Sequence, residues 1–228
     1  MKEIVVVLSN ATSVGGKEKR KTGFDLKEVA YLYDFAVRYN TKLIPASVLG
    51  GPCGMDPFTI QEADDDEVCR KFLSSSNLLD ELRKTIPLYE ISIGSGYDAV
   101  VLVGGLGASV DFPGNAQLGK FVSTSVANNK IIGAIGHGVF GLLAAVDKNK
   151  ISLVHEKQVT CATNQENDLR DVRKYITLDL ENDLKVRGAK LRIGPAFESH
   201  VVKDGNLITA QNSQSSAEFC QSLWNSNS

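Results

Sequence analysis

Ile131-Ile132-Gly133-Ala134-Ile135-Gly136-His137-Gly138-Val139-Phe140-Gly141-Leu142-Leu143 is the stretch whose reading decides the fold. It opens as an apolar run rich in β-branched residues, which suits a strand covered on both faces. Within one or two residues it becomes a helical pattern, expected over Val139–Val146, the strand-to-helix geometry of a nucleophile elbow. The elbow residue is held in a strained backbone conformation that aims its side chain into a crevice, and Gly133 and Gly138 are small enough to make room. Here that residue is Gly136. Glycine also sits in tight turns for backbone reasons alone, so the stretch by itself leaves both readings open.

Similar short runs lie at Lys2–Leu8, Lys42–Ser47 and Ala99–Val103. Between them the apolar spacing predicts helices over Asp25–Tyr39, Asp65–Leu73, Leu78–Thr85 and Leu118–Asn128. This alternation predicts an α/β fold, a doubly wound and mostly parallel sheet flanked by helices. Its ligand crevice belongs at the carboxyl ends of the strands, just after Leu8, Val103 and Ile135. The remaining third offers strands at Gln158–Cys161, Lys190–Ile193 and Leu207–Ala210, with helices at Asn167–Lys174, Asp179–Val186 and Ser216–Trp224. Pro45–Asp66 reads as a long surface loop.

The length of 228 residues is expected to form one domain, 1–228. A formal charge of -2 and a pI near 6.0 give no basic footprint for nucleic acid or an anionic membrane, so small molecules or proteins are the expected partners. Ile4–Leu8 is too short for a signal-peptide core or a membrane span, and Asn225-Ser226-Asn227-Ser228 carries no retention or lipidation signal, which makes the cytoplasm, with the nucleus left open, the expected compartment. Cys53, Cys69, Cys161 and Cys220 form no CxxC pair, and His137, His155 and His200 make no ligand spacing with them; reduced thiols are expected, with no metal and no cofactor.

Two glycine segments fail as nucleotide loops. Val14-Gly15-Gly16-Lys17 lacks the spacer and the hydroxyl of a phosphate loop, and Gly105-Leu106-Gly107 has Val110 where a dinucleotide fingerprint needs its third glycine. The helix Asp25–Tyr39 is more informative. Leu26, Val29, Ala30, Tyr33, Ala36 and Val37 form its core face, and Lys27, Asp34 and Arg38 a polar stripe. Glu28 lies on a second apolar arc with Phe24, Tyr31, Leu32 and Phe35, and no Lys or Arg stands three or four residues from it. A carboxyl left in apolar surroundings has a raised pKa, which suits a general acid or base; the alternative is an exposed Glu favoured by the helix dipole.

Several segments together resemble the ThiJ/PfpI superfamily. They are Lys21-Thr22-Gly23 with Glu28, Leu102-Val103-Gly104-Gly105-Leu106-Gly107 leading to Asp111-Phe112-Pro113, and Ala134-Ile135-Gly136-His137-Gly138. Within it the glutathione-independent glyoxalase (glyoxalase III) and stress-chaperone branch is most similar, through Ala46-Ser47, Gly50-Gly51-Pro52, Asp56-Pro57, Val159-Thr160, Thr163-Asn164, Gly194-Pro195 and Asp204–Thr209. The resemblance implies a flavodoxin-like, class I glutamine-amidotransferase-like fold, a homodimer, and a small aldehyde or similar ligand. In active relatives a cysteine at the elbow attacks methylglyoxal, a helix glutamate shuttles protons, and lactate is released.

Carried over by position, Glu28 corresponds to the glutamate and His137 to the histidine, while the amides of Gly105 and His137 correspond to the oxyanion-binding pair. The third acidic position falls among Glu166, Asn167 and Asp168; Glu166 is the acidic candidate and Asn167 the best-aligned residue. Gly136 stands where the family has its cysteine, Leu106 where this branch has histidine, and Val103 replaces a common proline. Loss of a nucleophile costs roughly 10⁴ to 10⁶ in turnover, so a degenerate member is expected, for which the resemblance implies a stress-related or chaperone-like role. The alternative is an active glyoxalase using Cys161 or Cys53, although neither is read at a helix N-terminus that would lower its pKa. Restoring cysteine at position 136 is expected to keep the fold at a cost of about 1 kcal/mol or more, with partial rescue of activity.

Overall fold

The computed structural model describes residues 2–92 and 96–226, so Asn227 and Ser228 of the C-terminal tetrapeptide lie outside it. Seven strands form the central sheet in the order Val201–Asp204, Leu207–Ala210, Ile131–Ile135, Ala99–Leu102, Glu3–Leu8, Lys42–Ser47 and Ile86–Pro87. Every neighbouring pair is parallel except the first, a hairpin whose turn has Gly205 at φ 62°. Chain order reverses at Glu3–Leu8, which has Lys42–Ser47 on one side and Ala99–Leu102 on the other. A doubly wound sheet opens its crevice beside such a reversal.

Strict alternation explains the two packed faces. Ile4, Val6, Leu8, Val101 and Ile135 lie in one buried cluster with helices Leu26–Arg38 and Ser216–Asn225. Val5, Val7, Leu102 and Ala134 lie in a second with helix Ala116–Ala127. Gly133 has a packing role: a Cβ there would stand 2.7 Å from Phe219 Cζ, so only glycine lets the C-terminal helix approach. Helix Leu26–Arg38 is capped by Asp25, which accepts the amides of Lys27 at 2.9 Å and Glu28 at 3.2 Å, an arrangement worth about 1 kcal/mol.

Three expectations need correction. The segment after the elbow is a 3-10 helix, Gly136–Leu142, rather than an α-helix over Val139–Val146; glycines at 136, 138 and 141 weaken an α-helix, and a Cβ at Gly138 would fall 2.1 Å from Leu102 O. Val37 is 76% exposed and does not join the core face, because the partners of its helix cover the faces of Val29 and Leu32 instead. Pro45–Asp66 is no plain surface loop: it contains the end of a sheet strand, buried Cys53 and Asp56, and helix Pro57–Glu62 with Asp56 as N-cap. Among the described residues no helix is long and apolar enough to cross a membrane.

Candidate functional site

The site gathers where two neighbouring strands end beside the start of helix Leu26–Arg38. After Ala99–Leu102, the Gly104 carbonyl accepts the Asp25 amide at 3.1 Å, and Gly105 turns at φ 95°. This close backbone approach ties the Gly104-Gly105 loop to the start of helix Leu26–Arg38. A Cβ on Gly105 would lie 2.5 Å from Gly23 O, so the segment Thr22-Gly23-Phe24 leaves room only for glycine. At the end of Ile131–Ile135, Gly136 is buried with φ 55°.

Glu28 lies inside this cluster. It is 3% exposed, and its Oε2 accepts the Gly104 amide at 2.6 Å. The other oxygen, Oε1, is 2.7 Å from where a Cβ on Gly136 would be. The carboxyl therefore stands against the elbow, closer than a Cβ there would allow without a shift. Burial, then the nearby Asp25 charge, raises the Glu28 pKa well above its ordinary value. Burial likewise raises Asp25 to about 6, against the opposing pull of the amides it caps.

His137 follows Gly136. Its Nε2–H donates to Asn167 Oδ1 at 3.0 Å, and its ring stacks on Phe140. Burial lowers its pKa to about 4, so the imidazole is neutral at pH 7. Glu166 lies elsewhere. It completes a capping box with Thr163, and its Oε1 accepts from Asn212 Nδ2 at 2.7 Å and the Phe197 amide at 2.8 Å. The structure thus brings Glu28, Gly136, Gly105 and His137 together, with Asn167 rather than Glu166 on the histidine. Asp168 is exposed and pairs with Arg173 at 2.9 Å.

The cleft above has a volume of about 30 Å³ and is lined by Gly105, Leu106 and His137 together with Arg20, Asp25, Asp56 and Arg170. Leu106 packs with Val14 and Val172, making one wall apolar. Cys161 is fully buried and Cys53 is 8% exposed, and burial raises both thiols. Among the described residues no group of three or more His, Cys, Asp or Glu is placed to hold a metal ion.

The model of the DJ-1/PfpI family matches residues 63–226. The chain belongs to the DJ-1/PfpI family. Over its whole length this DJ-1/PfpI member is similar to the solved Rapid Encystment Protein 24 KDa of Francisella tularensis, at 32% identity and a TM-score of 0.93, with all of both chains covered. The solved glyoxalase III of Candida albicans shares its flavodoxin-like fold, with a TM-score of 0.88 at 18% identity over 100% of this chain and 98% of that one. Among curated proteins it is 29% identical over 138 residues to the probable glutathione-independent glyoxalase hsp3104 of Schizosaccharomyces pombe, covering 58% of this chain and 62% of that protein. It is 32% identical over 130 residues to the glutamine amidotransferase-like class 1 domain-containing protein 1 of Xenopus laevis, 57% of each. The chain thus spans about three-fifths of the length of these curated relatives.

Reading the sequence did not single out Arg20, Asp25 or Arg170 of this DJ-1/PfpI cleft. Asp25 carried a local signal, since an Asp before an apolar periodic run marks an N-cap. The two arginines carried none, because only the tertiary fold brings residues 20 and 170 to one cleft.

Proposed function

We propose that this glyoxalase-like DJ-1/PfpI protein is a pseudoenzyme that keeps the family crevice without its covalent thiol chemistry. The observation that carries this reading is the elbow itself: Gly136 has no side chain, and a Cβ there would stand 2.7 Å from Glu28 Oε1. Two further features support it. All four cysteines are buried, so no thiol stands free to replace the missing one, and Leu106 adds an apolar wall in place of a polar side chain. A buried proton-bearing Glu28 beside a neutral His137 leaves a site suited to reversible ligand binding or to a stress-related, chaperone-like role. The reading carries with it the homodimer and the cytoplasmic or nuclear placement, which sedimentation and tagged-protein imaging test.

The deciding experiment measures lactate formation from methylglyoxal without glutathione, beside a cysteine-bearing relative. Background activity is expected. Turnover within about tenfold of the relative would overturn the reading, given the roughly 10⁴-fold or larger loss that removal of a nucleophile brings.

A further inference from the structure

A second cavity lies at the other end of the sheet from the elbow. Ile132 and Leu207 stand side by side in parallel register where strands Ile131–Ile135 and Leu207–Ala210 begin, and both line it. Gly136 follows four residues after Ile132, roughly 13 Å along an extended strand, so this cavity is separate from the cleft that Gly105 and His137 line. Val122 and Val126, one turn apart on helix Ala116–Ala127, supply a wall, with Leu142 from the 3-10 helix and Val154 beyond it. Val122, Ile132, Leu142 and Val154 are buried.

The cavity has a volume of about 130 Å³. Protein interiors pack as densely as organic crystals and hold few voids larger than a water molecule. Atoms that line a void lose dispersion contacts, which an occupant restores.

The polar residues on the lining are Lys157, Asp204 and Asn206, and their bonds run to partners of their own. Lys157 Nζ meets Asp204 Oδ1 at 2.8 Å, and Asp204 Oδ2 accepts the Gln158 amide at 2.9 Å. Asn206 Nδ2 donates to Asn129 O at 3.1 Å, and its carbonyl accepts the Ile132 amide at 2.8 Å. A water held inside would need roughly two to four polar partners, and the apolar side chains of the walls offer none. A nonpolar molecule needs none.

Size then narrows the occupant. An aliphatic cavity of about 150 Å³ stays dry and takes up benzene, so one of about 130 Å³ admits a single six-membered ring and little more. Entry is open as well. The Lys157 side chain at the rim is 43% exposed, and Val126 and Leu153 also line a wider groove along helix Ala116–Ala127.

We propose that the cavity between Ile132, Leu207 and Val122 is a binding site for a neutral, nonpolar ring compound of the size of benzene. The inference goes beyond the pseudoenzyme reading and draws on nothing at position 136. A 1H–15N NMR titration of the full chain with benzene tests it, with sodium benzoate as the charged analogue. Benzene is expected to give saturable shifts at the amides of Val122, Ile132 and Leu207 and none at Gly105 or His137. Benzoate should bind at least about tenfold more weakly, because its charge finds no unpaired partner inside. Val122→Phe, which fills the cavity, should weaken benzene about tenfold or more. The control Val186→Phe, at a position 75% exposed, should change nothing.

Circular dichroism and the urea midpoint report whether each variant folds, and Leu207→Phe carries the test if Val122→Phe does not. Absence of saturable benzene shifts overturns the proposal. So do shifts confined to Gly105 and His137, benzoate binding as tightly as benzene, or unchanged affinity in the folded cavity-filling variant. None of these outcomes bears on lactate formation from methylglyoxal, so the failure of this site and the failure of the pseudoenzyme reading remain distinguishable.

Discussion

A single Cβ at position 136 tests the geometry most directly. Gly136→Ala places an L-residue at φ 55°, in the left-handed region that costs such residues roughly 1–2 kcal/mol. The new Cβ would also stand 2.7 Å from Glu28 Oε1, so the carboxyl must move. Moving it breaks the 2.6 Å bond from the Gly104 amide, and a buried amide without an acceptor costs about 1–3 kcal/mol. The two effects together are expected to lower stability by about 2–5 kcal/mol, more than glycine replacement alone. In a Glu28→Asp background the obstructing oxygen is withdrawn, and only the backbone part, about 1–2 kcal/mol, should remain. Urea denaturation of the four chains of this double-mutant cycle measures the coupling, provided that the slope with denaturant stays constant. A Gly136→Ala cost below about 1 kcal/mol, or equal costs in both backgrounds, would refute the reasoning. Gly136→Cys meets the same obstruction, so rescue of glyoxalase turnover should stay small even where the protein folds.

The acidic cluster sets a pH dependence. Folded Glu28 and Asp25 retain protons that their unfolded forms release above 4.5 and 3.8, so their contribution is complete below those values and lost as pH rises. His137 acts oppositely, stabilising above 6.5 and losing that contribution as pH falls toward 4. Burial of Glu62 and Asp111 works in the same direction as Glu28. Stability should therefore fall by at least about 1.4 kcal/mol per pH unit between roughly pH 4.5 and 6, and Glu28→Gln should make the decline shallower by about that amount; a urea midpoint that rises over this window contradicts the buried pair. Because all four cysteines are buried, a thiol reagent at pH 8 should label none rapidly in the native protein and all in denaturant, and fast native labelling of Cys161 or Cys53 would reopen a thiol mechanism. Glu166→Ala should cost about 3–5 kcal/mol, because it strands the Asn212, Phe197 and Thr163 donors, with Glu166→Gln milder; a loss under about 1 kcal/mol in thermal or urea unfolding would show that the capping box is not holding this loop.

Much of the frame was legible because it rests on local periodicity. The apolar runs at Glu3–Leu8, Lys42–Ser47, Ala99–Leu102 and Ile131–Ile135 are strands, and the amphipathic pattern near 26–38 is a helix. Val201–Asp204 was not legible: it is a sheet-edge strand, with no apolar alternation to announce it, and pairs only because the Asp204-Gly205-Asn206 turn folds it back on Leu207–Ala210. The helix expected after the elbow failed for a related reason. Its apolar spacing suits a helix, but its glycines and the close approach to Leu102 favour the tighter 3-10 turn.

By itself, the sequence determined the alternation of strands and helices, the placement of the crevice after Val103 and Ile135, and the absence of a thiol at position 136. Each of these depends on side-chain chemistry and on spacings of two to four residues, which a linear chain displays openly. Tertiary structure alone decided that Glu28 is buried rather than an exposed first-turn residue, since its Gly104 partner is 76 residues away. It also decided that Asn167 rather than Glu166 meets His137, because the helix beginning after Thr163 turns Glu166 inward to its own cap and to Phe197 and Asn212. Neighbouring positions on one helix are indistinguishable by period alone; which of them faces the cleft depends on how the helix docks, a property of packed surfaces and not of sequence spacing.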